Sequence, residues 1–213
     1  MLEKATSFKF AYKSFDFLKS AINELQLPEH VETYEILRQA YEALSGLNLR
    51  SNYVATDHFS NIDWTLLNTI NDGYNIVINT NKGEIILELY PEAAPATVTQ
   101  FVRLAKANYY NDRLFHRVVS NFVIQGGCSR GDGWSGFKVT LPSEFHADYN
   151  YHDAGYIGMA SAGKDTESAQ FFITHGPTPH LDGRYTIFGK VKSGISVVNS
   201  IQAKDKIISV KIN

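Results

Sequence analysis

The apolar positions of this chain follow one period before Gly73 and another after it. From Lys13 to Gln26, Phe17, Leu18, Ala21, Ile22 and Leu25 recur at helical spacing. Pro28 is placed to open a second helix, with Val31, Tyr34, Leu37, Tyr41 and Leu44 as its stripe and Gly46 as its left-handed stop. Two such helices on a short link form an αα-hairpin. One hairpin cannot bury a core alone, so this one must dock. A short third helix is predicted around Trp64 to Ile70. Beyond the turn Asn71-Asp72-Gly73 the period becomes two. Residues 75–79 and 84–90 read as strands about the hairpin signal Asn81-Lys82-Gly83. Pro91 and Pro95 end the second strand and start a helix whose buried stripe is Val98, Phe101, Val102 and Ala105. Strands follow at 115–119, 122–125, 156–160, 170–174 and 185–191, then a helix from Ser196 to Gln202 and a last strand from Lys206 to Ile212. Many short strands with two helices predict a mainly β domain, a closed barrel capped at its ends. The division falls near residue 73, with a helical extension at 1–73 and the barrel at 74–213.

Composition narrows the classes. The 213 residues are 44% hydrophobic and 20% charged, typical of a globular protein. A net charge of −2, with 6 basic and 10 acidic residues up to Gly73 and 14 and 12 after it, gives no polybasic surface for nucleic acid or an anionic membrane. No run of apolar residues is long enough to insert in a membrane, and MLEKATSFKFAYKSF lacks the apolar centre of a secretion signal. A cytoplasmic location is expected, unless the chain is a trimmed piece of an exported precursor. The lone Cys128 excludes an internal disulfide and a multi-cysteine zinc site, and reads as a small buried thiol.

Several motifs dissolve on inspection. GDGWSG matches G-x-G-x-x-G at Gly131, Gly133 and Gly136, but FKVTLP follows where a dinucleotide site needs a helix. Ser135 lies in G-W-S-G and forms no nucleophile elbow. The histidines, among them His146, His152, His175 and His180, lack helical metal-pair spacing, and no metal is expected. FHRVVSNFVIQGG is different, because it sets Arg117 and Gln125 in an apolar, β-branched run. With Phe122, and with Gln170 and Phe172 from a second strand, two amides and two aromatics suggest an apolar cleft with a few aimed polar groups.

Three blocks, FHRVVSNFVIQGG, GMASAGKDTESAQFFIT and HLDGRYTIFGKV, resemble in this order the cyclophilin family of peptidyl-prolyl cis–trans isomerases, over about Tyr74 to Asn213. The resemblance implies an eight-stranded antiparallel barrel with a helix over each open end and a substrate groove on its outer face. It implies proline-containing peptides and unfolded or partly folded proteins as partners, and no cofactor. The family's catalytic arginine falls on Arg117, its proline-pocket phenylalanine on Phe122 and its backbone-gripping glutamine on Gln125. Val123 replaces the usual methionine. Ala160 and Ser161 match the strand that pairs with substrate, and Phe172 and Leu181 complete the pocket walls. His180 replaces the tryptophan of cyclosporin-sensitive members, which implies weak or no cyclosporin binding. Tyr185 replaces a frequent histidine. Trp134 lies where many relatives carry a small residue, and is expected to narrow the subsite for side chains preceding proline.

Two other readings stand beside this one. The barrel would hold proline segments without turning them over, a role that could dispense with Arg117. Alternatively the helical hairpin would be the main functional part, a protein-docking piece with the barrel attached.

Overall fold

The computed structural model describes residues 14–49, 59–70 and 75–212; the predicted turn at 71–73, and with it the boundary near 73, lies outside them. The α-helices are α1 (Asp16–Asn23), α2 (Val31–Ser45), α3 (Trp64–Leu67), α4 (Pro95–Lys106) and α5 (Ile195–Ser200), with a 3₁₀ turn at Pro179–Leu181. The strands are β1 (Asn75–Thr80), β2 (Gly83–Leu89), β3 (Phe115–Val119), β4 (Val123–Gly126), β5 (Tyr156–Met159), β6 (Phe171–Thr174), β7 (Ile187–Ser193) and β8 (Ile207–Ile212). They form one antiparallel sheet in the order β3-β4-β6-β5-β7-β2-β1-β8. Among the described residues, no helix is long and apolar enough to cross a membrane.

The sheet curls until its outer strands meet. No ladder joins β3 to β8; an isolated bridge between Leu114 and Lys206 does, with amide bonds from Phe115 to Asp205 O and from Ile207 to Arg113 O, each 2.8 Å. Inside, Ile76, Ile78, Ile85, Leu87, Ile124, Ile157 and Ile173 share one apolar core with Phe115, Phe171 and Phe188. The predicted stripe of α4 is buried there, and Phe101 packs against the rings of Tyr110, Phe171 and Phe188. Burying each such ring contributes about 1.5–3 kcal/mol. From α5, Val198 enters the same core.

The helical hairpin departs from expectation at its edges. Helix α1 runs only from Asp16 to Asn23, and Phe17 is 57% exposed instead of buried. Its Leu18 and Ile22, with Leu25 just beyond its end, close against Tyr34, Leu37 and Tyr41 of α2. Pro28 does not open α2. It lies in the turn before it, where its carbonyl accepts from the Val31 amide at 3.1 Å, and the helix begins at Val31. Gly46 ends α2 at φ 73°, a conformation that costs glycine least. The hairpin docks on the barrel loop 133–136. There the Gly136 amide donates to Glu29 O at 2.9 Å, and the Thr33 hydroxyl donates to Trp134 O at 3.1 Å.

Glu167, just before β6, is fully buried. Its Oε1 accepts from the Thr186 amide at 3.1 Å, while Oε2 has no partner among the described residues. Burial raises its pKa from 4.5 to about 8. A carboxyl raised on folding contributes its full stability below the unfolded value and loses it as pH climbs to the folded one. In urea unfolding at about pH 5 and about pH 8, Glu167→Gln should therefore gain on the parent by more than about 1 kcal/mol between the two. An identical pH response in both proteins would contradict this placement of the carboxyl.

Candidate functional site

The site is one transverse row of the sheet. Across β3, β4, β6 and β5 the paired residues are Arg117, Gln125, Phe172 and Gly158. All four face outward, opposite to the core-facing Ile124, Phe171, Ile173 and Ile157. Period-two alternation would put Phe115 and Arg117 on the same face. The ladder slips between them: Phe115 pairs with Gly126, Arg117 with Gln125. This bulge at His116 lets Phe115 fill the barrel while Arg117 turns outward, the re-aiming that bulges provide.

Beneath the row lies a second apolar cluster of Val123, Tyr151, Tyr156, Phe172, Leu181 and Ile187, with Phe122, Ala160 and Tyr185 packed against it. Phe172 is held edge-on to Tyr185 at 5.7 Å. Phe122 stacks on His180, with ring centroids 5.3 Å apart. Together Arg117, Phe122, Val123, Gln125, Phe172 and Leu181, with Ala160, Ser161 and Tyr185, line a cleft of about 240 Å³. Two further hollows, of about 330 and 510 Å³, lie around Phe145; the larger is lined by Arg184 and Lys164 among glycines and Ser161, without the buried floor of Val123, Phe172 and Leu181 that lies beside Arg117.

The Arg117 guanidinium lies 5.7 Å from the Phe122 ring centre and donates from Nη1 to Gln125 Oε1 at 3.4 Å. No carboxylate pairs with it among the described residues. Gln125 Nε2 donates in turn to Gln170 Oε1 at 3.1 Å. Gln170 Nε2 is fixed by Gly133 O at 3.0 Å, Ser135 O at 3.1 Å and Glu32 Oε1 at 3.3 Å. These anchors orient both amides, so that an oxygen faces the arginine and its charge stays uncompensated.

Most residues expected at the site are brought together. Two details differ. Arg117 is solvent-exposed in the free protein, so its dry surroundings exist on one side only. Strand β5 ends at Met159, leaving Ala160 and Ser161 beyond it; the Ala160 amide is taken by Gln170 O at 2.9 Å. Trp134 stands outside this cleft and lines a neighbouring one of about 240 Å³. His180 touches the site through Phe122. Sequence reasoning left out Glu32, Glu35, Ile36 and Gln39 of α2, which form the far wall of that second cleft. Their spacing of i, i+3, i+4 and i+7 marks one helix face, and Ile36 is the apolar residue out of place on it.

Residues 75–212 match the family model described as cyclophilin type peptidyl-prolyl cis-trans isomerase/CLD. The chain is 45% identical over 140 residues to peptidyl-prolyl cis-trans isomerase B of Bacillus subtilis, covering 66% of this chain and 96% of that protein. It is 47% identical over 135 residues to a peptidyl-prolyl cis-trans isomerase of Helicobacter pylori, covering 62% and 83%. A cyclophilin type peptidyl-prolyl cis-trans isomerase of Cryptosporidium parvum, solved in the presence of the dipeptide Ala-Pro, superposes with a TM-score of 0.62 at 29% identity, over 65% of this chain and 98% of that one.

Gly158 makes room for the cleft floor. A Cβ there would overlap the Tyr151 hydroxyl and come 2.5 Å from the Phe172 ring. Gly158→Ala should cost about 1–3 kcal/mol in urea unfolding and shift the Phe172 ring resonances. Unchanged stability together with unchanged ring resonances would show that the floor is not so tightly set.

Proposed function

Since the chain belongs to the cyclophilin-type peptidyl-prolyl cis–trans isomerases, we propose that Arg117 is its catalytic residue and that the adjoining cleft seats the substrate's proline ring. Residues 74–213 are the isomerase unit on this reading, and residues 1–73 an extension of it. The observation that carries it is a guanidinium, unpaired with any carboxylate among the described residues, set beside the apolar floor of Phe122, Val123, Phe172 and Leu181.

The reaction asks for no covalent chemistry. An amide resists rotation because resonance must be broken, at a barrier of about 18–20 kcal/mol. Uncatalysed X–Pro exchange takes about tens to hundreds of seconds. Millisecond turnover needs a gain of roughly 10⁴–10⁵, or about 5–7 kcal/mol. On twisting, the prolyl nitrogen turns pyramidal and recovers a lone pair. An arginine donor beside it stabilises the twisted form more than the planar one, which is what lowers a barrier. One preorganised donor is worth about 3–4 kcal/mol at most, so other effects must supply the remainder. The apolar floor disfavours the more charge-separated planar amide. The floor also fixes the ring, while Gln125 and the backbone at Ser161 hold the flanking chain, so one side of the bond turns against the other. A substrate lying over Arg117 completes the drying that the free protein lacks.

His180 offers no indole N–H where cyclosporin-sensitive relatives have one, so binding of that drug should be weak. The isomerisation itself is tested by exchange NMR on an Ala-Pro peptide. Arg117→Ala should slow exchange by about 100-fold or more, while unfolding stability stays within about 0.5 kcal/mol because the side chain is exposed. Exchange as fast as in the parent protein would remove Arg117 from the mechanism.

A further inference from the structure

The second cleft joins the proline cleft directly, sharing Gln125, Ala160 and Ser161 with it. Its floor comes from the barrel; its far wall is helix α2, through Glu32, Glu35, Ile36 and Gln39, facing Trp134. We infer that α2 is a specificity element, and that this cleft takes a cationic side chain, lysine or arginine, from the substrate residue preceding the X–Pro pair. The inference rests on the proposed isomerase site, because there the chain leading to the proline runs over Ala160 and Ser161.

Three observations support a cationic guest. First, among the described residues the lining carries two carboxyls and no lysine or arginine. Arg38, on the same helix, is paired with Glu35 Oε2 and Glu42 Oε1 at 2.8 Å each; it does not line the cleft. Second, Glu32 is held at the wall by Gln170, and its other oxygen, Oε2, is shut from water with no hydrogen-bond partner among the described residues. An orphaned buried acceptor is costly, and a cationic guest that draws the carboxylate round until Oε2 meets its donor relieves that cost. Burial has also raised the Glu32 pKa to about 7, the response of a carboxyl that lacks a counter-charge. Third, Ile36 and the Trp134 indole give apolar walls, which suit the methylene stem of a long basic side chain.

The wall is held in place. Thr33 donates to Trp134 O at 3.1 Å and the Gly136 amide to Glu29 O at 2.9 Å, so helix and loop form one rim. On this proposal Trp134 is one jaw of the subsite and the helix is the other.

The test uses the full chain and three peptides that carry Arg, Leu or Glu immediately before an Ala-Pro pair. Two quantities are measured for each: affinity, by titration of the Trp134 indole N–H resonance, and turnover, by exchange NMR. The Arg peptide should bind about tenfold more tightly than the Glu peptide, and the double variant Glu32→Gln, Glu35→Gln should bring that ratio to within about twofold. Glu35→Gln alone, at a surface-accessible position, should lower the ratio part of the way and guards against a folding defect at Glu32. Equal affinity for Arg and Glu peptides in the parent protein overturns the inference. So does a ratio that survives the double variant. An Arg preference without turnover of any peptide would keep the subsite and remove the isomerase reading instead.

Discussion

A strand that sends Phe115 into the barrel must send Arg117 the same way two residues later, unless its ladder slips. The slip at His116 resolves a conflict between filling a core and presenting a charge. Without it a guanidinium would enter a cluster built of isoleucine and phenylalanine, at a cost few folds could bear. With it, Arg117 heads a row continued by Gln125, Phe172 and Gly158 on three further strands. The cleft depends on that row. Phe172 can lie flat because Gly158 beside it has no side chain, and Tyr151 occupies the space below.

The second requirement is that the charge be held without being cancelled. A carboxylate partner would position the guanidinium but neutralise its field; a neutral amide positions it and leaves the field intact. Gln125 supplies that amide, and Gln170 fixes which end of it faces the arginine. Gln170 is in turn anchored by two backbone carbonyls and by Glu32 from outside the barrel. The electrostatics of the site therefore extend into the appended helices.

Much of this was legible in the residues. Alternation marked β1 and β2, the α4 stripe was buried as its spacing required, and GDGWSG proved a loop, as the missing helix indicated. The bulge was not legible, because no residue type announces a slip in pairing; register depends on what the neighbouring strand must bury. A closed barrel was expected, but the contact that closes it was hidden, since it runs through loop residues Leu114 and Lys206 rather than a strand ladder. In the hairpin, Pro28 suggested a helix start because its ring tolerates the first turn, yet the chain first makes a turn there. The polar face of α2 carried the least signal. Glu32, Glu35 and Gln39 fall outside the apolar stripe, and only docking against the loop around Trp134 makes them a wall.

On the proposed mechanism a permanent charge, and not merely a hydrogen-bond donor, lowers the barrier beside the apolar floor. Arg117→Gln keeps a donor and removes the charge. The decisive measurement is the isomerisation rate of a peptide bound to this variant, with affinity determined in the same titration. The rate should fall by more than about 100-fold, with affinity changed by less than about fivefold. A bound-state rate within about threefold of the parent protein would contradict it.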